Sequence, residues 1–225
     1  MKPKNTKATT KVAKKVYKPW TYAKIQRPKP LVIEPCNIWQ TLWQISQFSN
    51  SEYSVLLEID EEVSNVFRVK DWYLPYQEAS LGHVHYNNKS AINMVKEIGD
   101  RFENFYGVHH LHPWISKTGP EMSAEDVEAM WKWVANAGRG IFIVSDPSGQ
   151  QQAIYVTKIG NELIQIEADI TIDFTIAEES WRDLMKLFTQ RVTVYDYRDK
   201  EIDAFKNLNS EDAKLLATLN EYEVY

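Results

Sequence analysis

Apolar positions along this chain follow two periods, and they predict alternating helices and strands. After Pro35, Ile38, Trp39, Leu42, Trp43 and Ile45 fall at helical spacing, with Asn37 placed as a cap. The runs "EYSVLLEID" and "VSNVFRVKDWYL" predict two strands, the second ended by Pro75, and "SLGHVHY" predicts a third. "NKSAINMVKEIGDRFENF" is an amphipathic helix with Ile92, Val95 and Ile98/Phe102 on one face. "YGVHHLH" is a short strand stopped by Pro113, and a polar loop containing Gly119-Pro120 leads to Ser123. Beyond it Val127, Met130, Trp131 and Val134 recur at i, i+3, i+4 and i+7, which predicts a helix. "GIFIVSD", "QQAIYVTKI" and "ELIQIEADITIDF" read as three strands joined by "DPSGQ" and "GN" turns. Helices over "EESWRDLMKLFTQ" and "SEDAKLLATLN" follow. This order predicts an α/β (α+β) fold, a single mixed β-sheet flanked by helices.

Composition adds a packed core and a compartment. At 225 residues, with 44% hydrophobic residues and eight tryptophans, the chain suffices for one substantial domain. No run approaches the roughly 18 apolar residues of a membrane helix, and no charged-then-apolar signal is visible. The single cysteine, Cys36, cannot form an internal disulfide, so a reducing cytoplasm is the expected location. Cys36 precedes a helix with no histidine nearby in sequence, which argues against a nucleophile.

Charge divides the chain. Residues 1–30 hold nine lysines and one arginine with no acid, which leaves 16 basic residues against 31 acidic ones elsewhere, a net of −15. Three segments are expected: a basic, flexible arm over 1–30, a main domain over 31–175 and a helical extension over 176–225. The arm could bind nucleic acid or another polyanion, remain a solvated tail, or lie on its own acidic domain. Tyr17, Trp20 and Tyr22 near its end favour docking somewhere.

The chemistry concentrates in "GVHHLHPWISKTGPEMSAEDVEAMW". His110 and His112 alternate on a strand, so both imidazoles reach toward one point. Zinc takes about four tetrahedral ligands at roughly 2.0–2.2 Å, and a catalytic ion keeps one place for water. Asp126, in the first turn of the following helix, is the nearest carboxylate held by regular structure. Ser123 and Asp126 also form a Ser-x-x-Asp capping signal, which alone reads as a plain helix cap. A second pair, His83 and His85 in "GHVHY", has no ordered acidic or cysteine partner after it and is expected to be structural or superficial.

Taken together, "HLHP" followed by Ser-x-x-Asp resembles the JAMM (Jab1/MPN-type) zinc metalloprotease and isopeptidase family, in a prokaryotic or phage-type form. The resemblance covers roughly residues 37–170 and implies a cytidine-deaminase-like, MPN-type sandwich. It makes His110, His112 and Asp126 the zinc ligands and Ser123 the oxyanion-stabilising hydroxyl. The family's upstream glutamate matches Glu52, just before Tyr53-Ser54-Val55-Leu56-Leu57, and "VKDWYLPYQEAS" is similar to its next strand and Pro-x-Gln turn. Glu58, six residues on, is the rival carboxylate. The chain departs from the family at Leu111 and at Val108-His109, at Ser54 and Glu58 where glycines are usual, and in a longer loop before Ser123. No ligand is lost by these changes.

The implied activity is hydrolysis of a peptide or isopeptide bond after the C-terminus of ubiquitin or a ubiquitin-like protein. Glu52 would move the proton and the edge of the mixed sheet would receive the tail as an added strand. The competing reading is a catalytically inactive MPN-like scaffold, with polyanion binding by the arm compatible with either.

Overall fold

The computed structural model describes residues 28–46, 50–63, 65–86, 88–174, 181–195 and 201–202. Strand β1 (Leu31–Pro35) runs directly into helix α1 (Cys36–Ser46). Next come β2 (Tyr53–Val63), β3 (Val66–Tyr73), β4 (Gln77–Ser80), β5 (His83–Tyr86) and α2 (Asn88–Ile98), which continues as a 3₁₀ turn over Gly99–Asn104. Strand β6 (Gly107–Leu111), α3 (Ala124–Ala137), β7 (Arg139–Ser145), β8 (Gln151–Ile159) and β9 (Glu162–Asp173) follow. After them come α4 (Trp181–Arg191), β10 (Val192–Tyr195) and β11 (Glu201–Ile202).

Neither the expected single sheet flanked by helices nor the cytidine-deaminase-like, MPN-type sandwich implied by the resemblance is what forms. Seven strands close into a mixed barrel in the order β1-β3-β2-β6-β7-β8-β9, and a separate four-stranded sheet runs β11-β10-β4-β5. The strand responsible is β1. It pairs in parallel with β3 from Leu31↔Val66 and, on its other side, with β9 from Leu31↔Asp169. Without it, β3-β2-β6-β7-β8-β9 would be an open sheet of the kind the pattern predicts. Closure removes the free edge expected to receive a substrate tail; free edges among the described residues belong to β5 and β11.

Alternation sorts the barrel walls. Val55, Leu57 and Ile59 of β2, Phe67 and Val69 of β3, Leu111 of β6 and Ile141 and Ile143 of β7 form one core, which α1 joins through Ile38, Leu42 and Ile45. The helix begins at Cys36, one residue ahead of Asn37, so Asn37 lies inside it and is not its cap. Gly107 is where β6 passes closest to β2: a Cβ there would sit 2.8 Å from Leu57 Cβ.

Two helices cover the outside. Met130 and Val134 of α3 pack on Phe142, Ile154 and Val156, each buried side chain contributing roughly 1.5–3 kcal/mol. Gly138 stops this helix at φ 82°, a left-handed conformation that glycine adopts without strain. On α2 the buried face is Met94 and Ile98, with Phe105, against Leu56 and Tyr73. The face predicted from sequence is displaced: Ile92, Val95 and Phe102 are exposed. Gly99 at φ 61° breaks the helical phase, so Phe105 takes the inward place.

Beyond the barrel, Leu184 and Phe188 of α4 and Val194 of β10 join the main core, and β10 pairs in parallel with β4. Lys29 pairs with Glu167 at 3.2 Å, and the Pro30 carbonyl accepts the Asp169 N–H, so the last residues of the basic arm lie along acidic β9. The aromatics of the arm and the helix predicted over "SEDAKLLATLN" lie outside the described residues. No helix among the described residues is long and apolar enough to cross a membrane.

Candidate metal centre

Strand β6 lies between β2 and β7, antiparallel to the first and parallel to the second. Its inward residues are His109 and Leu111, so His110 points outward, opposite Ser54 of β2. His112 continues the alternation one residue past the strand, its N–H donating to the Ser145 carbonyl at 2.9 Å. The two outward imidazoles meet with Nε2 atoms 3.1 Å apart, and both residues are buried.

The third arm comes from α3. Ser123 is its N-cap, and both halves of a capping box are formed: Asp126 N–H donates to Ser123 Oγ at 3.1 Å, and Ser123 N–H donates to Asp126 Oδ2 at 2.7 Å. Such a cap contributes about 1 kcal/mol. It also locks the Asp126 rotamer, so that Oδ2 lies 3.5 Å from His110 Nε2 and 3.8 Å from His112 Nε2. Among the described residues, His110, His112 and Asp126 are the group whose ligand atoms gather closely enough to hold a metal, all within 4.8 Å.

The donor set fits zinc. An ion about 2.1 Å from each of three tetrahedral ligands asks for ligand atoms about 3.4 Å apart; the observed separations are 3.1, 3.5 and 3.8 Å. Burial would raise the Asp126 carboxyl, but the two imidazoles and the Ser123 amide more than offset it and hold it well below the usual carboxylate range. Burial lowers the His110 pKa despite the opposing pull of Asp126, which leaves the imidazole neutral with a lone pair to give.

Glu52 reaches the same place from the residue just ahead of β2, outside the group of three. It is buried, with Oε1 3.8 Å from His112 Nε2. Burial pushes its carboxyl up to about 7; Asp126 adds to the shift and His112 opposes it. Its backbone N–H donates to the Ser80 carbonyl at 2.8 Å, which ties this end of β2 to β4. Next to it, Gln77 clamps Ser54 by accepting from its N–H at 3.1 Å and donating to its carbonyl at 2.9 Å. The Ser54 hydroxyl also bonds the Tyr86 phenol.

The rival carboxylate goes elsewhere. Leu57 is opposite Gly107, so Glu58 lies beyond the start of β6, some four residues or about 13 Å along β2 from the level of His110. It binds Arg101 Nη1 at 2.7 Å, and Arg101 also holds Asp71. His83 and His85 stand exposed on β5.

Sequence reasoning missed three groups around the centre. Trp114 stacks on the His112 ring, centroids 4.7 Å apart, and with Ile115 forms an exposed apolar lip. Gln77 lay in the Pro-x-Gln turn that the resemblance singled out, though without a role. The third group is the pair Glu34 and Ser145 around His109 inside the barrel; residue type carries no signal for these, because a glutamate and a serine in short strands ordinarily face water.

No protein-family model and no curated protein matches the chain. Among solved structures, the solution structure of protein DSY2949 from Desulfitobacterium hafniense is similar at 14% identity and a TM-score of 0.40, covering 68% of this chain and 97% of that one. A likeness so weak carries no argument about function.

Proposed function

We propose that this chain is a zinc-dependent hydrolase of JAMM type. Its substrate would be a peptide or isopeptide bond after the C-terminus of ubiquitin or a ubiquitin-like protein, in the cytoplasm. The observation that supports the reading is a convergence. Two histidines of one strand and an aspartate of the next helix bring three ligand atoms within 4.8 Å, and a buried glutamate stands beside them outside the ligand set.

Zinc bound there supplies Lewis acidity toward water and toward the amide carbonyl. Glu52, 3.8 Å from the His112 ring, takes the proton of the attacking water and returns it to the leaving amine. Ser123 Oγ accepts the Asp126 N–H and keeps its own proton to donate to the developing oxyanion. Trp114 braces the His112 ring from the solvent side and keeps water from that face. The test joins two measurements on the purified chain: zinc content, and cleavage of ubiquitin-like fusions by wild type and Glu52→Gln. Zinc at one per chain with cleavage lost only in the variant supports the reading; a metal-free chain that cleaves nothing overturns it.

One observation favours the non-catalytic scaffold. The capping box alone accounts for Ser123 and Asp126 as helix-stabilising residues. Zinc analysis separates the two readings, since a cap needs no metal.

A further inference from the structure

The inward face of β6 carries a histidine that the proposed chemistry does not use. His109 is fully buried in the barrel, its Nδ1 2.6 Å from Glu34 Oε1 and its Nε2 2.8 Å from Ser145 Oγ. The other Glu34 oxygen accepts from Gln151 Nε2 at 3.1 Å. Glu34, His109 and Ser145 each have 0% exposure. Strands β1 and β6 are not neighbours in the barrel, so the Glu34–His109 contact crosses the interior from one wall to the other.

A carboxylate and an imidazole so deeply placed are costly beside hydrocarbons of the same volume. Hydrogen bonding makes the arrangement specific in return. Glu34 accepts from Nδ1–H, which fixes the tautomer and leaves Nε2 to accept the Ser145 hydroxyl proton. Ser145 then grips β6 twice: its side chain holds His109 and its carbonyl holds the His112 N–H at 2.9 Å. Between these two points lie His110 and Leu111. The pleat from which both outward histidines project is therefore pinned from within the barrel.

We infer that Glu34, His109 and Ser145 are positioning residues, a buried relay across the barrel that sets the direction in which His110 and His112 present Nε2 to a divalent metal ion. The inference rests on reading His110, His112 and Asp126 as a metal centre. Partners behind metal ligands are typically worth 10–100-fold in metal affinity. A relay that acts through the backbone belongs at the lower end, about 10-fold.

The test titrates the full chain with Co(II), whose visible absorption reports ligand geometry where zinc is silent. Wild type binds one Co(II) per chain with a tetrahedral-type band. Ser145→Ala removes the hydroxyl but keeps the carbonyl that holds His112; Glu34→Gln keeps the shape and removes the charge. Both variants weaken Co(II) by about 10-fold and alter the shape of the band, and Ser145→Thr, which restores a hydroxyl, recovers both. If Glu34→Gln fails to fold, the Ser145 pair carries the test alone. Variants that melt at lower temperature yet match wild type in affinity and band shape overturn the inference, because the relay is then packing only. Failure of wild type to bind Co(II) overturns the metal reading and the inference with it, an outcome distinct from the first.

Discussion

His83 and His85 share with His110 and His112 a spacing of two on a strand, and the pairs differ in nearly everything else. The rings of the first pair stack 6.1 Å apart at 14° on the exposed face of β5. Those of the second are 4.9 Å apart at 60°, buried, with their Nε2 atoms turned toward one another. Spacing puts two side chains on one face and does no more. What sets the second pair apart is a carboxylate delivered by a different element, held in one rotamer by its own helix cap, which completes a group that could hold a metal ion. The second pair is also shielded from water, which would otherwise compete for the imidazoles.

The largest effect that could break this contrast is loss of the metal itself. His110→Ala and Asp126→Ala are expected to take zinc from about one per chain to none, measured by elemental analysis after dialysis, and turnover to background with it. Next is Glu52→Gln, for which zinc stays at wild-type stoichiometry while turnover falls by about 10²–10⁴, the worth of a positioned general base. Glu58→Gln, removed from the centre and paired with Arg101, should be mild in the same assay; the reverse ranking would show that the wrong carboxylate has been assigned.

Ser123→Ala should cost about 10²–10³ in rate if its hydroxyl faces the oxyanion, together with about 1 kcal/mol of stability from the lost cap. A stability loss without a rate loss returns Ser123 to the role of cap alone. The smallest effect belongs to the control pair. His83→Ala and His85→Ala should leave zinc content unchanged and stability within about 0.5 kcal/mol, as exposed substitutions usually do. Metal loss from either would erase the contrast between the pairs.

The convergence of His110, His112 and Asp126 was legible because each position rests on local rules: period two along β6, a stop at Pro113, and a Ser-x-x-Asp at the head of a periodic helix. The barrel was not. β1 is five residues long and ends in proline, too short to show a period, and its partners are distant in sequence. The inward relay was invisible for a related reason. Glu34, His109 and Ser145 come from three separate strands, and only closure brings β1 across from β6. The misplaced face of α2 has a smaller cause: its inward stripe is Ser90, Met94 and Ile98, and a serine in that stripe gave no apolar signal, while Gly99 shifted the phase only for Phe102 beyond it.

The position of β1 also bears on the order in which the molecule can be made. Among the described strands it leaves the ribosome ahead of its partners, and it can pair with β3 as soon as that strand emerges. Its second partner, β9, starts only at Glu162. During synthesis the nascent sheet must therefore hold two unpaired borders, on β1 and on the latest strand added, until β9 arrives to satisfy both. Pairings this remote in sequence are slow to form, and borders left open in the meantime invite association with other chains. Translation that pauses between β8 and β9 should therefore be the interval in which this protein most needs a chaperone.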